Sequence, residues 1–157
     1  MRRSLGLLLV LGALCLAVPV RAAEPKVSLA LRPTVATRGT ATELTIEAIV
    51  DDGWHINAHQ PNQKFLVPTK LSLTLPEGVT VGDVTYPNPE SKTFAFAGDV
   101  HLLVYEGLLA LRTAVQVPAD FHGEALPIQA VLRFQACDDT TCLPPTSVAS
   151  SFSVPLQ

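Results

Sequence analysis

The 157-residue chain is 48% hydrophobic and 16% charged, with a formal net charge of −3 at pH 7. Setting aside residues 1–22, which read as a leader, leaves eight basic against fourteen acidic residues and a net charge of −6, which argues against nucleic acid or an anionic membrane as partner. The roughly 135 residues that remain suit one domain with a proper hydrophobic core.

The chain opens as a secretory signal: Arg2 and Arg3 precede an apolar run from Leu5 to Val20 that ends at Val20-Arg21-Ala22, with cleavage expected before Ala23. The run contains Pro19 and is short for a span, so a transmembrane anchor is the weaker reading. Cys15 follows Leu14 where a lipoprotein signal would carry a small residue, so this cysteine is expected to leave with the leader. No second apolar run is long enough to cross a bilayer, and the expected product is a soluble domain, residues 23–157, in an oxidising compartment.

From Lys26 onward the signals are all-β: short alternating runs broken by Pro, Gly and Asp. Val27, Leu29 and Leu31 share one face of a first strand. Leu44, Ile46, Ala48 and Val50 share one face of a second, which Asp51-Asp52-Gly53 ends. Leu71, Leu73 and Leu75 repeat the pattern up to the turn Pro76-Glu77-Gly78, and a further strand runs from Val79 towards Tyr86. Residues 87–98 read as a loop whose two phenylalanines, Phe94 and Phe96, have no obvious place in a strand core. Strands resume at 101–106 and at 108–117, the second apolar on both faces and therefore expected to be central. Residues 126–136 form the strand that delivers Cys137, and 146–154 the last strand, which leaves Cys142. About eight short strands at this spacing predict a β-sandwich of immunoglobulin type.

The mature chain has only two cysteines, Cys137 and Cys142, at what reads as a hairpin tip. Opposite residues of an antiparallel pair lie about 4.5–5.5 Å apart at Cα, within reach of a disulfide. As a structural staple the pair is modest, since closing a loop of about six residues stabilises by only ~2 kcal/mol in the chain-entropy model. Spacing alone leaves staple and redox pair evenly matched. A Cu(I) site on the two thiolates is chemically reasonable, but Met1 is the only methionine. His55 and His59, four residues apart, would stand ~13 Å apart in extended chain and do not suggest a metal pair. A passive immunoglobulin-like binding module with an inert disulfide is a third reading. No metal or cofactor is expected.

The residues around the cysteines carry more. Phe134-Gln135-Ala136-Cys137-Asp138-Asp139 with Cys142-Leu143-Pro144-Pro145 resembles the active-site hairpin of the DsbD N-terminal domain family, the periplasmic N-terminal domains of the thiol:disulfide interchange protein DsbD. Asp52-Gly53-Trp54-His55-Ile56-Asn57-Ala58-His59, Phe65-Leu66-Val67-Pro68-Thr69 and Tyr105-Glu106-Gly107 are similar to the same family, so the resemblance covers nearly the whole mature chain. It implies an immunoglobulin-like fold in which Cys137 and Cys142 pass electrons to periplasmic thioredoxin-like proteins, among them disulfide isomerases and cytochrome c maturation factors. The membrane and thioredoxin-like domains that reload the module in full-length DsbD are not found in this sequence, so a separate membrane donor of DsbD type is expected.

The resemblance also implies that an aromatic side chain of the 87–98 loop, Phe94 or Phe96, shields the disulfide, with Phe96 preferred for its closeness to Gly98 and core packing the competing role, and that the second cysteine, Cys142, meets the partner while Cys137 resolves. Pro144 and Pro145 support the same assignment, because they hold the chain after Cys142 extended. Trp54 is expected to be a core aromatic. His55 and Asn57 are candidates to line the face under the cysteines. Asp138 and Asp139 are ordinary turn residues that, beside the thiols, would raise the thiol pKa values.

Overall fold

The computed structural model describes residues 26–94, 97–98 and 100–157; the leader and Phe96 lie outside the described residues. Among the described residues eleven strands run in chain order: β1 Val27–Leu31, β2 Ala41–Val50, β3 His55–Asn57, β4 Lys70–Thr74, β5 Thr80–Val81, β6 Glu90–Thr93, β7 His101–Tyr105, β8 Leu108–Gln116, β9 Ala125–Phe134, β10 Ala136–Cys137 and β11 Thr146–Pro155. All strand pairs are antiparallel, in three sheets ordered β1-β2-β8-β5, β11-β9-β4 and β10-β3-β7-β6. The fold is an all-β, immunoglobulin-like sandwich.

Period-two alternation builds the core, because successive side chains of a strand point to opposite faces. Leu126, Ile128, Ala130, Leu132 and Phe134 of β9 are buried, as are Leu44, Ile46, Ala48 and Val50 of β2. The main core joins Ile46, Ala48, Leu109 and Leu111 of the first sheet to Leu132 and Phe134 of β9, and to Ile56, Tyr105 and Ala136 of the small sheet. The two smaller sheets therefore form one layer that faces the first. A second cluster, with Leu44, Val115, Leu126, Ile128 and Val154, closes the opposite end.

Several sequence expectations need correction. The strand expected from Val79 to Tyr86 is only Thr80–Val81 plus an isolated bridge from Thr85 to Arg112. The expected loop at 87–98 contains β6, which pairs with β7. Strand β8 is indeed internal, between β2 and β5, but it alternates: Leu109, Leu111 and Val115 are buried while Leu108 is 60% exposed. Its position comes from hydrogen-bonded neighbours on both edges, not from two apolar faces.

The most consequential difference lies at Gln135. The strand expected over 126–136 ends at Phe134, and after one intervening residue the chain pairs with a different partner, Ala136 with Ile56 and Cys137 with His55. The cysteine tip thus leaves the β9–β11 hairpin and becomes the edge of the small sheet.

Candidate functional site

Pairing register assigns the faces of the small sheet. Ala136, Ile56 and Tyr105 lie in one row and point into the main core. Cys137, His55 and Asn57 therefore project from the opposite face, because neighbours along a strand alternate. That outer face is buried too: Leu66, Phe94, Leu102 and Val104 make a third, smaller cluster over it. Phe94 thus has a core place that its loop-like surroundings concealed.

Cys137 and Cys142 are joined in a disulfide with Cα atoms 4.0 Å apart, closer than the antiparallel spacing expected from sequence. They face each other across an isolated antiparallel bridge. On one side of it the Leu143 amide donates to the Ala136 carbonyl at 2.8 Å, and on the other the Asp138 amide donates to Thr141 at 2.9 Å. The cysteines occupy the non-hydrogen-bonded position between these two, where opposed side chains come closest. Their exposure differs: Cys137 is 1% exposed, whereas Cys142 is half-buried.

The tip holds its own shape. One carboxylate oxygen of Asp138 accepts from the Thr140 amide (2.8 Å), the Thr140 hydroxyl (2.9 Å) and the Thr141 amide (2.8 Å). These bonds to the charged form hold the Asp138 carboxyl below the usual carboxylate range. Asp139 is exposed and borders a cleft of about 360 Å³ with Asp51, Asp52, Gly53, Trp54, His55, Glu106 and Gly107. Trp54 is half-buried against the main core, and the Lys26 ammonium stands 5.2 Å from its ring centre.

His55 is 2% exposed and lies opposite Cys137 on the neighbouring strand. The Phe94 ring stacks on its imidazole with centroids 3.9 Å apart and planes at 15°. Burial pushes the His55 pKa down; the carboxylates of Glu106, Asp139 and Asp138 oppose that, and Lys92 adds to it. Lys92 is paired with Glu106 and, at 3.4 Å, with Glu90. Asn57 is buried, and its amide donates to the Val67 carbonyl at 3.0 Å and to Gln135 Oε1 at 3.5 Å. Gln135 in turn donates to the Leu143 carbonyl at 3.2 Å. Sequence reasoning gave Gln135 no separate role; its signal, a polar residue between buried Phe134 and buried Ala136, becomes readable only once the chain is known to change sheets there.

The structure brings Cys137, Cys142, His55, Asp138 and Asp139 together, with Phe94 over His55 and Asn57 linked through Gln135 to the chain beyond Cys142. His59 stands apart: its ring stacks on Tyr86 (centroids 3.8 Å) and its Nδ1 lies 2.9 Å from the Thr69 carbonyl oxygen. Among the described residues no group of three or more His, Cys, Asp or Glu side chains could hold a metal ion. No helix there is long and apolar enough to cross a membrane.

The model of the N-terminal domain of the thiol:disulfide interchange protein DsbD matches residues 23–153. Among solved structures, the reduced N-terminal domain of DsbD from Neisseria meningitidis is similar at 18% identity and a TM-score of 0.44, over 71% of this chain and 77% of that one. The GAE domain of yeast GGA1 is similar at 11% identity and a TM-score of 0.47, over 87% of this chain and 96% of that one. No curated protein matches.

Proposed function

The chain belongs to the family of DsbD N-terminal domains, whose chemistry is thiol–disulfide interchange, and from that premise we propose that it relays electron pairs between thioredoxin-like proteins of the periplasm through Cys137 and Cys142. In the reducing direction the Cys142 thiolate attacks a partner disulfide and forms a mixed disulfide, releasing one partner thiolate. The Cys137 thiolate then attacks Cys142 Sγ, which closes the Cys137–Cys142 disulfide and frees the second partner thiol. Two electrons pass to the partner; a membrane donor of DsbD type restores the dithiol by the reverse exchange. Disulfide isomerases and thioredoxin-like factors of cytochrome c maturation are the proposed acceptors, and the activity is that of a protein-disulfide reductase.

The observation that carries this reading is the unequal exposure of a cysteine pair at a sheet edge: Cys142 is half-buried, the more accessible of the two, and Cys137 is 1% exposed. Exchange requires in-line access to one sulfur and retention of the other. Phe96, in preference to Phe94, is proposed as the shield against small thiols, and Asp138 and Asp139 as neighbours that keep the free thiols protonated until a partner docks. Residues 1–22 are proposed to direct export and to be removed, in keeping with a family match that begins at residue 23.

Trapping tests the reading. With Cys137→Ala, the remaining Cys142 is expected to hold a thioredoxin-like partner as a stable mixed disulfide, and Cys142→Ala to trap far less. Equal trapping by both variants overturns the assignment of sulfurs, and trapping by neither with a competent partner overturns the relay.

A further inference from the structure

Cys137 has two lateral neighbours on the outer face of the small sheet. Across one side stands Cys142, its disulfide partner, and across the other, in direct register, stands His55. Opposed side chains of an antiparallel pair have Cβ atoms about 4.5–5.5 Å apart, within the reach of an imidazole. Phe94 stacks on that ring and limits its rotation, and Cys137 is sealed from water at 1% exposure. A sealed thiol must lose its proton before it can attack, and bulk solvent is poorly placed to take it.

We infer that His55 is the general base for the resolving cysteine, receiving the Cys137 proton as the mixed disulfide on Cys142 is broken. This inference rests on the relay reading. The His55 nitrogen takes the proton from Cys137 Sγ–H, and the resulting thiolate attacks Cys142 Sγ. The Cys137–Cys142 bond forms, the bond from Cys142 to the partner sulfur breaks, and the partner leaves as a thiolate. The imidazolium returns its proton to that thiolate or to water, so no net proton stays on the protein. In the opposite direction the same imidazolium protonates the Cys137 thiolate released when a donor attacks Cys142.

The surroundings suit a group that cycles between these states. Burial pushes the His55 pKa down, which favours the neutral form that a general base needs. Glu106, just beyond β7, and Asp138 and Asp139 at the tip favour the imidazolium once formed; Lys92 on β6 opposes it, with its charge answered by Glu106 and Glu90. Positioned proton transfer of this kind typically contributes 10²–10⁴-fold.

The test is a single turnover of the reduced protein with 5,5′-dithiobis(2-nitrobenzoate). A first thionitrobenzoate is released as Cys142 becomes a mixed disulfide, and a second as Cys137 resolves it. His55→Phe keeps an aromatic ring against Phe94 and is expected to slow the second release at least about tenfold at neutral pH, with the first unchanged. Its second-phase rate should climb in proportion to hydroxide, whereas the wild type levels off once His55 is neutral. His55→Gln carries the same comparison should the phenylalanine variant fail to fold. Equal second phases with the same pH profile in wild type and variant overturn the inference while leaving the relay intact. Loss of the first phase in wild type, with no mixed disulfide in Cys137→Ala, is instead the failure of the relay.

Discussion

At the scale of single residues, the environment of His55 sets a measurable pH dependence of folding. The unfolded chain titrates this imidazole near its ordinary value of 6.5, while burial in the folded chain depresses it. Between the two values the unfolded state binds more protons, so stability rises with pH across that window. The contribution of the neutral ring is complete above about pH 6.5 and is lost as pH falls towards the folded value. Urea unfolding at a series of pH values from about 7.5 down to about 5 should therefore show a steeper loss for wild type than for His55→Phe, which has no proton to bind there. Parallel slopes would mean that the imidazole is not held neutral by burial. Asn57 and Gln135, by contrast, spend their polar groups on backbone and on each other, so they position the chain beyond Cys142 instead of taking part in proton traffic.

At the scale of elements, the cysteine tip is shaped by one carboxylate. Asp138 accepts from Thr140 and Thr141 within the loop it begins, which replaces a tight-turn glycine by a side-chain anchor. Asp138→Ala is expected to speed amide hydrogen exchange at Thr140 and Thr141 while leaving the amides of β9 unchanged, because those belong to a separate hydrogen-bond ladder. The sign of its pH effect is the reverse of that for His55. A carboxyl held below its usual range supports the tip above the ordinary Asp value and lets go as pH falls through the folded value. Unchanged exchange at Thr140 and Thr141 in the variant would show that the two prolines and the disulfide alone hold the loop. The break at Gln135 has a matching logic: Phe134 belongs to β9 and Cys137 to the small sheet, so one residue must turn the chain between them.

At the scale of the whole molecule, the sandwich stands on its core and not on the crosslink. Phe134 is fully buried where the two smaller sheets meet. Phe134→Ala should cost about 3–5 kcal/mol of unfolding free energy. Removing the disulfide in Cys137→Ser, Cys142→Ser should cost about 2 kcal/mol, as the loop it closes is short. Chemical denaturation of both proteins measures the ranking. A larger loss from the cysteine replacement would make the pair a staple, contrary to the proposed carrier role, in which the bond opens and closes with the fold intact.

The sequence by itself determined the all-β class, most strand positions and the two cysteines at a tip, because those depend on period-two alternation and on turn residues a few positions apart. The apolar faces of 44–50 and 126–134 are the clearest case, since each is complete within one stretch of chain. What the tertiary structure decided is which strand lies beside which. His55 is 82 residues from Cys137, and nothing local announces that they are paired in register. Short strands such as His55–Asn57 and Glu90–Thr93 carry too few residues to display a period, and they exist because neighbouring strands supply their hydrogen bonds. The same holds for Phe94: its flanking sequence is loop-like, and only the packing of Leu66, Leu102 and Val104 around it gives it a core. Local patterning specifies which face of each strand is apolar; long-range pairing specifies what that face meets, and here it set an imidazole beside a buried sulfur.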